Sequence, residues 1–373
     1  MHKTSFKYRV YPTQGQVTKM EHTLDECRWL YNHFLEERKN AWEQNNQSIS
    51  MYDQIKTLPK LKQERPSLSM VHSQIFQNVA VRIDLAFKSF FRRVKAGEKP
   101  GYPRFRGTGW YDSFTYTQSG FSIDGRLRLS KIGDVKIRLH RPIEGGIKTL
   151  TISRSPTGKW YACFSCEVEP EPLPECNEAV GIDVGLESFA TFSTGEIIVN
   201  PRFFRTDEKV LAKAQRKLSR LEKGTPERRK VKKVVSHIHE RIANRRSNFA
   251  HQLSHRIVSQ FGVICVEDIN TSRMLHNHCL AKSISDAGWS QFIAYLSYKA
   301  ESAGRKFVAV NPSYTSQDCS RCGHRQQLTL SDRVFTCPCC NLIINRDHNA
   351  SLNILARGLA SLGIQSVEAV CFS

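Results

Sequence analysis

Long apolar runs are absent from this sequence of 373 residues. The runs that occur are short, such as Val-Ile-Cys-Val at 263–266, and none approaches the length that a membrane-spanning helix requires. The first fourteen residues also lack the apolar core of a secretory signal. These absences exclude a membrane-spanning helix and predict a protein of the cell interior.

Acidic residues are scarce as well. The sequence has 35 Asp and Glu against 55 Lys and Arg, which gives a formal net charge of +20. An imbalance of this size favours a polyanionic partner such as nucleic acid. The alternatives are a basic but inert surface or attraction to anionic lipid, but no amphipathic segment supports lipid binding. The sequence therefore predicts a nucleic-acid partner and no membrane partner.

The twelve cysteines do not have the arrangement of a secreted disulfide framework, which is typical of short extracellular chains. Four of them occur in paired spacing and the others are scattered, as expected in the reducing cytoplasm. The sequence also contains neither a P-loop nor a G-x-S-x-G nucleophile motif. With 40% hydrophobic residues, the chain is expected to fold into two or three domains.

The first half of the chain changes pattern twice. Residues 1–12 alternate as a strand does, and 13–97 show helical periodicity with a second helix at about 71–94. Between 98 and 170, short alternating segments separated by turn residues predict a small antiparallel barrel or sheet. The proline-rich stretch at 169–176 is the clearest domain boundary.

The second half alternates strands with helices, which predicts an α/β domain. Two strands at 179–199, turning near residue 194, precede a helical hairpin at 205–260 that breaks at 222–226. The hairpin has two apolar stripes: Leu211, Ala214, Leu218 and Leu221, then Val231, Val234, Val235, Ile238 and Ile242. Sixteen Lys and Arg lie between 202 and 246 against five acids, which favours phosphate contact over the alternative of a solvated face.

Two Cys-x-x-Cys pairs predict a structural Zn²⁺ site. The four expected ligands are Cys319, Cys322, Cys337 and Cys340, with fourteen residues between the pairs, a stretch that can form a short hairpin. Four thiolates fill a tetrahedral shell and leave no open position for catalysis. Redox cysteines or chance are the alternatives. Cys339 could replace Cys340, and His324 is a spare ligand.

Three acids lie where a metal-dependent nuclease needs them. Asp183 shares one face of its strand with two glycines, which leaves space for a metal and a phosphate backbone. Glu267 follows an apolar strand at its carboxyl end, and Asp347 begins the final helix. Each also has a structural alternative: a turn residue, an exposed strand end and a helix cap. Together they predict an RNase H-like site with two Mg²⁺ ions roughly 3.5–4 Å apart.

The motifs together resemble the TnpB family, the transposon-encoded RNA-guided DNA endonucleases related to type V CRISPR effectors. They are KPGYPRFRG (99–107), GIDVGLESFATFSTG (181–195), VEDIN (266–270), LAKSISDAGW (280–289), YTSQDCSRCGH (314–324) and RDHNASLNIL (346–355). The resemblance spans nearly the whole chain, with the motifs in the family's order.

This resemblance implies a multidomain α+β fold. A wedge-like β-barrel formed by 1–12 and 98–172 would be interrupted by a helical recognition insert at 13–97. An RNase H-like, RuvC-type α/β nuclease domain would follow at 177–311 and 345–361, with the basic hairpin 205–260 inside it. A zinc ribbon at 312–344 would be inserted in that domain, and 362–373 would form a C-terminal tail.

The resemblance also implies the site residues. The RuvC triad carries onto Asp183, Glu267 and Asp347, and the zinc ligands onto the four paired cysteines. Two family positions differ, because Asn341 stands for a frequent glycine and Asn345 for a frequent aspartate. Neither is a triad position, so the intact triad argues against a nuclease-dead relative.

The implied activity is Mg-dependent cleavage of double-stranded target DNA. A transposon-derived guide RNA would pair with DNA beside a short motif, with one copy of the protein per RNA as the favoured assembly. The hairpin would hold RNA and heteroduplex backbones. The candidate contacts are Arg216, Lys217, Arg220, Arg228, Arg229, Lys232 and Lys233.

Two other functions stay open. A non-catalytic RNA-guided or zinc-ribbon DNA-binding repressor would need no acids, so loss of Asp183 would leave it active. An RNA-free transposase or junction resolvase would need no guide and would join strands as well as cut them.

Overall fold

Two compact units make up the chain, Met1–Glu169 and Pro170–Ser373. The computed structural model describes residues 2–169, 171–329 and 332–364. From residue 365 onward, the predicted C-terminal tail therefore lies outside the described residues. Within the described ranges, no helix has both the length and the apolar character that a bilayer crossing needs.

The first unit contains a seven-stranded antiparallel sheet around a long N-terminal strand. The strands are β1 (His2–Tyr11), β2 (Ser113–Tyr116), β3 (Phe121–Asp124), β4 (Arg126–Leu129), β5 (Gly133–Arg138), β6 (Gly146–Arg154) and β7 (Trp160–Val168), in the order β2-β6-β7-β1-β5-β4-β3. β1 pairs with β7 from His2↔Val168 to Val10↔Trp160, and its alternate residues Phe6, Tyr8 and Val10 are buried.

Helices fill the segment between β1 and β2. They are α1 (Gln14–Asn45), α2 (Met51–Glu64) and α3 (Ser73–Lys95), with a 3₁₀ turn at Pro66–Met70. Thr13 and Gln16 form a capping box that starts α1, and Ser50 and Asp53 form another that starts α2. The sequence prediction of strands from residue 98 is wrong at its start, because 96–112 form an irregular segment and β2 begins at Ser113.

The second unit is built on a five-stranded mixed sheet. Its strands are β8 (Ala179–Val184), β9 (Ser188–Phe192), β10 (Ile197–Val199), β11 (Val263–Glu267) and β12 (Lys306–Val310), in the order β10-β9-β8-β11-β12. β8, β11 and β12 run parallel, while β9 and β10 are antiparallel to their neighbours. The predicted pair of strands at 179–199 is three strands, because the chain also turns at 185–187, where the Gly185 N–H donates to Phe189 O.

Helices cover both faces of this sheet. They are α4 (Phe203–Arg220), α5 (Pro226–Gln260), α6 (Thr271–Met274), α7 (Ala281–Ala287), α8 (Trp289–Ser302) and α9 (Arg346–Ser361). A two-stranded sheet, β13 (Val334–Thr336) and β14 (Ile343–Asn345), precedes α9. The α4–α5 hairpin breaks at 221–225, close to the predicted break.

The two faces of the sheet follow the alternation of the strands. Val180 and Ile182 of β8 pack in one apolar cluster with Leu253 and Ile257 of α5 and Phe292 of α8. The residues that alternate with these along the strands lie on the opposite face of the sheet, towards α9. On that side Cys265 and Val310 cluster with Ile354. The sheet is therefore the middle layer between α5/α8 and α9.

Helix α9 lies unusually close to β8 and β11, and glycines make that approach possible. A Cβ on Gly181 would lie 2.1 Å from Ser351 O and 2.7 Å from Leu355 N. On the helix, a Cβ on Gly358 would lie 2.2 Å from Cys265 Sγ. Both neighbours of Gly181 are α9 backbone atoms, which cannot move aside as a flexible side chain can.

We expect Gly181→Ala to destabilise the second unit by about 1–3 kcal/mol or more, since overpacking against backbone forces α9 away from the sheet. Gly15→Ala is the control, because Gly15 lies in α1 with nothing within 4 Å of its added Cβ. Calorimetric melting temperatures and limited proteolysis check the effect. A Gly181→Ala protein that melts like the control variant would contradict the close contact.

Candidate active site, zinc centre and basic hairpin

Asp183 and Glu267 lie side by side at the carboxyl ends of two parallel strands. The register of β8 and β11 pairs Ile182 with Val266, and each acid is the next residue along its strand. Both share the face of the sheet that α9 covers, because Gly181 and Cys265 precede them by two positions and both abut α9. The register therefore places two carboxylates together near the start of α9.

Asp347 comes to the same place from α9, as the second residue of that helix. Four helical residues rise about 6 Å, and two strand residues span about 6.6 Å. Ser351 touches Gly181, so Asp347, four residues earlier on the helix, lies near Asp183, two residues later on the strand. The structure thus brings the three predicted acids together from distant parts of the chain.

Asp347 is not the cap of α9. The N-cap is Asn345, whose Oδ1 accepts hydrogen bonds from the backbone N–H groups of Asp347 (2.9 Å) and His348 (3.2 Å). The capping alternative for Asp347 is therefore wrong. An aspartate at 345 could cap the helix in the same way, since its side chain offers an equivalent oxygen.

The three carboxylates repel one another. Burial raises the pKa of Asp183 well above its ordinary value, and the neighbouring charges of Glu267 and Asp347 raise it further. Arg346 acts in the opposite direction on Asp183, and its Nη2 lies 3.3 Å from Asp347 Oδ1. The site thus concentrates negative charge that a cation would relieve.

Glu267 is oriented by a residue that the sequence patterns did not single out. Buried Thr315 donates a hydrogen bond from its Oγ1 to Glu267 Oε1, at 2.5 Å. Burial raises the pKa of Glu267, while this hydrogen bond and the charge of Arg357 lower it. Thr315 therefore fixes one carboxylate oxygen and leaves the other for a ligand.

Polar side chains of α9 anchor the loop that carries Thr315. Asn353 Nδ2 donates to Thr315 O (2.8 Å) and to Asp318 O (2.7 Å). Asn349 Nδ2 also donates to Asp318 O, and Arg357 donates to Asp318 Oδ2. These three α9 residues recur every fourth position on one face of the helix. That spacing is the signal that could have identified them from the sequence.

The face of β8 that carries Asp183 is less open than the sequence predicts. The sequence predicts that the glycines flanking Asp183 admit a metal and a phosphate backbone. At Gly181 this is wrong, since α9 occupies that side of the strand. Asp183 itself is half-buried near the carboxyl end of β8.

Four cysteine Sγ atoms converge in the 319–340 segment. The Sγ atoms of Cys319, Cys322, Cys337 and Cys340 all lie within 4.8 Å of one another. The Cys319–Cys340 separation is 3.6 Å and the Cys322–Cys337 separation is 3.5 Å. A tetrahedral Zn²⁺ with Zn–S bonds of about 2.3 Å needs S–S separations of about 3.8 Å. The cluster therefore fits zinc.

The convergence settles which cysteine closes the cluster. Cys339 is exposed and lies outside it, as does His324. Strands β13 and β14 flank the second pair, so the described part of the stretch between the pairs does not form the predicted hairpin within itself. Asn341 follows Cys340 with φ of 54°, a left-handed conformation that Asn tolerates better than most residues.

The acids do not converge as tightly. Within residues 2–169, 171–329 and 332–364, the cysteines form the one group of three or more metal-ligating residues whose ligand atoms all lie within 4.8 Å. The three carboxylates are wider apart, although close enough to influence one another electrostatically.

Six of the seven predicted basic contacts are exposed on the α4–α5 hairpin, and within the described chain none of them pairs with a carboxylate. They are Arg216, Lys217, Arg220, Arg229, Lys232 and Lys233. Arg228 differs, because its Nη1 donates to Leu218 O (2.5 Å) and Leu221 O (2.6 Å). Arg228 therefore holds the C-terminal end of α4, a role that its charge pattern did not reveal.

The apolar stripes of the hairpin are only partly buried. Leu211, Ile238 and Ile242 form its small core, whereas Val234 is exposed. A buried carboxylate also fixes the hairpin to its domain, in addition to the packing of α5 on the sheet. Asp286 of α7 accepts from the backbone N–H of Phe204 (2.8 Å) and pairs with Arg246 of α5. Sequence reasoning passed over Asp286, although it lies in the 280–289 motif.

Known proteins match almost all of the chain. Family models match residues 1–47 ("Helix-turn-helix domain"), 163–278 ("Probable transposase") and 289–354 ("Cas12f1-like, TNB domain"). A "Putative RNA-guided DNA endonuclease" of Streptomyces pristinaespiralis is 38% identical, over 96% of this chain and 90% of that protein. In Escherichia coli K12, "Putative RNA-guided DNA endonuclease InsQ" is 31% identical, over 96% of this chain and 93% of that protein.

A solved structure shares the fold. It is titled "Structure of the mini-RNA-guided endonuclease CRISPR-Cas_phi3" and aligns with a TM-score of 0.50, over 96% of this chain and 92% of that one. Its sequence identity to this chain is 9%, so the likeness concerns the fold alone.

We expect about one Zn²⁺ per chain, and loss of that zinc in Cys340→Ser, because a three-thiolate site binds zinc more weakly. Cys339→Ser is the control, since it alters the adjacent cysteine without touching the cluster. Elemental analysis and melting temperature, with and without chelator, check both variants. Zinc lost from Cys339→Ser and retained in Cys340→Ser would reverse the ligand assignment.

Proposed function

The chain belongs to the TnpB family, and we propose that it is an RNA-guided DNA endonuclease whose active site is the cluster of Asp183, Glu267 and Asp347. Family membership confirms the resemblance that the sequence motifs indicated. The observation that carries the proposed activity is the meeting of three mutually repelling carboxylates at one end of a mixed sheet, in a unit that also carries an exposed basic hairpin.

The domain assignments are part of this proposal. We assign 177–311 and 345–361 to a RuvC-like nuclease domain, and 312–344 to a zinc ribbon inserted before α9. The mixed sheet with helices on both faces supports the first, and the four converging thiolates support the second. The antiparallel sheet of the first unit would be the wedge-like barrel, and α1–α3 its recognition insert.

The carboxylates of the cluster suit Mg²⁺, a hard cation that prefers oxygen ligands. Two bound Mg²⁺ ions would supply activation of a water molecule and stabilisation of the leaving oxygen of a phosphodiester. Asp183 and Glu267 would offer oxygens from the sheet, and Asp347 from the helix. Each is held by its own support: Thr315 orients Glu267, Asn345 fixes the turn before Asp347, and the close contact of α9 sets the distance to Asp183.

The exposed lysines and arginines of the hairpin would contact phosphates of the guide RNA or of the RNA–DNA heteroduplex. Backbone contacts of this kind position a nucleic acid without reading its sequence, so the guide would supply specificity by base pairing. The protein would add recognition of a short motif beside the target. The lack of carboxylate partners for these side chains in the described residues supports this assignment over a paired, solvated face.

We expect Glu267→Gln, Asp183→Asn and Asp347→Asn each to lower Mg-dependent cleavage by more than about 100-fold, because loss of a ligand exceeds the 10–100-fold effect of losing a supporting residue. Asp268→Asn is the matched control, since Asp268 is adjacent to Glu267 but exposed. Cleavage of target DNA with guide RNA, together with binding of both, checks the effect. Cleavage near the wild-type rate in any triad variant would remove that residue from the site, whereas a wild-type protein that binds guide RNA and target DNA without cleaving would favour the repressor alternative.

We expect replacement of Arg229, Lys232 and Lys233 with Gln to weaken nucleic-acid binding and to reduce its salt dependence, by up to about 0.9 units of slope per lost duplex contact and less for single strands. Arg228 is left in place because it holds α4. The control is Arg229→Lys with Lys232→Arg and Lys233→Arg, which keeps the positive charge at all three positions. Affinity across a salt series checks the effect, and identical slopes for all three proteins would show that these side chains are a solvated face.

A further inference from the structure

The segment that joins α3 to β2 exposes aromatic rings among basic side chains. We call residues 91–110 the aromatic arm. Its four exposed rings are those of Phe91, Tyr102, Phe105 and Trp110, with 59%, 44%, 53% and 75% of their surface accessible. Its six basic residues are Arg92, Arg93, Lys95, Lys99, Arg104 and Arg106, against the single acid Glu98. Exposed aromatic residues in such number on one segment indicate a binding surface.

The arm begins in the last turns of α3 and is irregular in backbone after Lys95, but contacts hold it in place. Tyr102 packs edge-on against Phe87 (5.6 Å between ring centroids) and Phe90 (5.4 Å). The side-chain amide of Asn32 on α1 bonds to both backbone groups of Arg106, accepting from its N–H at 2.7 Å and donating to its C=O at 2.9 Å. These contacts fix the arm near Tyr102 and Arg106, so Phe105 and Trp110 are presented from a supported backbone.

The charges of the arm are not balanced within its own unit. In the described residues, none of its six basic side chains lies within 4.0 Å of a carboxylate, and the guanidinium of Arg106 lies over the ring of Tyr31 instead, at 5.6 Å. A neutral apolar partner would leave these cations without counterions. The combination suits a ligand that offers flat π faces and negative charge together.

We propose that the aromatic arm binds single-stranded RNA, with unpaired bases stacking on Phe105, Trp110 and Phe91, and the backbone phosphates contacting the neighbouring arginines and lysines. The proposal rests on the proposed function, which gives the protein a guide RNA as a partner. RNA is recognised mainly where its bases are unpaired and can stack on aromatic side chains. Stacking accepts any base, so this surface would hold the guide without reading it.

The test uses the full-length protein carrying Asp183→Asn, so that binding is measured without cleavage. The probes are a 12-nucleotide oligouridine RNA, the same length of abasic RNA, and the matching DNA. Phe105→Ala with Trp110→Ala should weaken binding of the RNA about tenfold or more, and binding of the abasic strand hardly at all. Phe105→Tyr with Trp110→Phe should restore the affinity, because the rings return.

Two further measurements locate the contact. Arg104→Gln with Arg106→Gln should reduce the salt dependence of RNA affinity. Phe105→Ala with Trp110→Ala should leave the slope of that salt dependence unchanged. Photocrosslinking of 5-bromouridine RNA should label peptides within 91–110. Rings are exposed at Phe105 and Trp110, so unchanged melting temperatures are expected for the alanine variant.

Unchanged RNA affinity in the alanine variant overturns the proposal. An equal loss for abasic RNA overturns base stacking, and a loss confined to DNA would assign the arm to a DNA strand. Concentration-dependent dimerisation that only the alanine variant loses, with RNA affinity intact, would assign it to a second copy of the chain. RNA-guided cleavage is measured separately with the wild-type protein, which retains Asp183. A failure of the proposed function can therefore be distinguished from a failure of the aromatic arm to bind RNA.

Discussion

The close packing of α9 on β8 is the contact on which the second unit depends. Gly181 has no room for a Cβ because the helix backbone lies against it, and Gly358 repeats the arrangement on β11. This contact fixes how far along the strand the helix begins. As a result Asp347, which follows the cysteine-rich segment, meets two acids that lie 80 and 164 residues upstream, Glu267 and Asp183. A larger residue at position 181 would move one ligand of the site away from the other two.

Gathering three carboxylates costs stability, and the surrounding polar contacts offset that cost. Burial of a charged group is unfavourable unless it is paired or hydrogen-bonded, and here two of the acids have pKa values raised by burial. Thr315 donates to Glu267, Arg346 pairs with Asp347, and Asn345 caps the helix end that brings Asp347 into the site. Strain of this kind is expected at functional sites, where sequence choices serve chemistry before stability. The three carboxylates are therefore held together by these polar contacts despite their mutual repulsion.

Much of this arrangement can be predicted from the sequence, and there is a physical reason why the rest cannot. Cysteine spacing predicts the cluster because the ligands are close in sequence, and strand alternation places Asp183 on one face because its period is local. The cover of α9 over Gly181 depends on contacts with residues far along the chain, and the role of Arg228 depends on how the turn between α4 and α5 folds. The role of Thr315 is harder still to predict from the sequence, since a threonine in a loop gives no sign that a buried carboxylate lies beside it in the fold. Features within one helix or strand can be predicted from the sequence pattern, whereas the way in which helices and strands pair is decided by tertiary packing.

The cysteine-rich segment also has a consequence for the active site. It occupies the connection from β12 to α9, between Val310 and Arg346, and a flexible connection of that length would let α9 start in many positions. Closing a long loop costs entropy, so a metal-bound cluster within it reduces the number of conformations that compete with the packed one. The loop before the first cysteine is bonded to α9 through Asn349, Asn353 and Arg357, and it delivers Thr315 to Glu267. Bound zinc would thus support the active site indirectly, because the segment that it stabilises is the one that orients the carboxylate of Glu267.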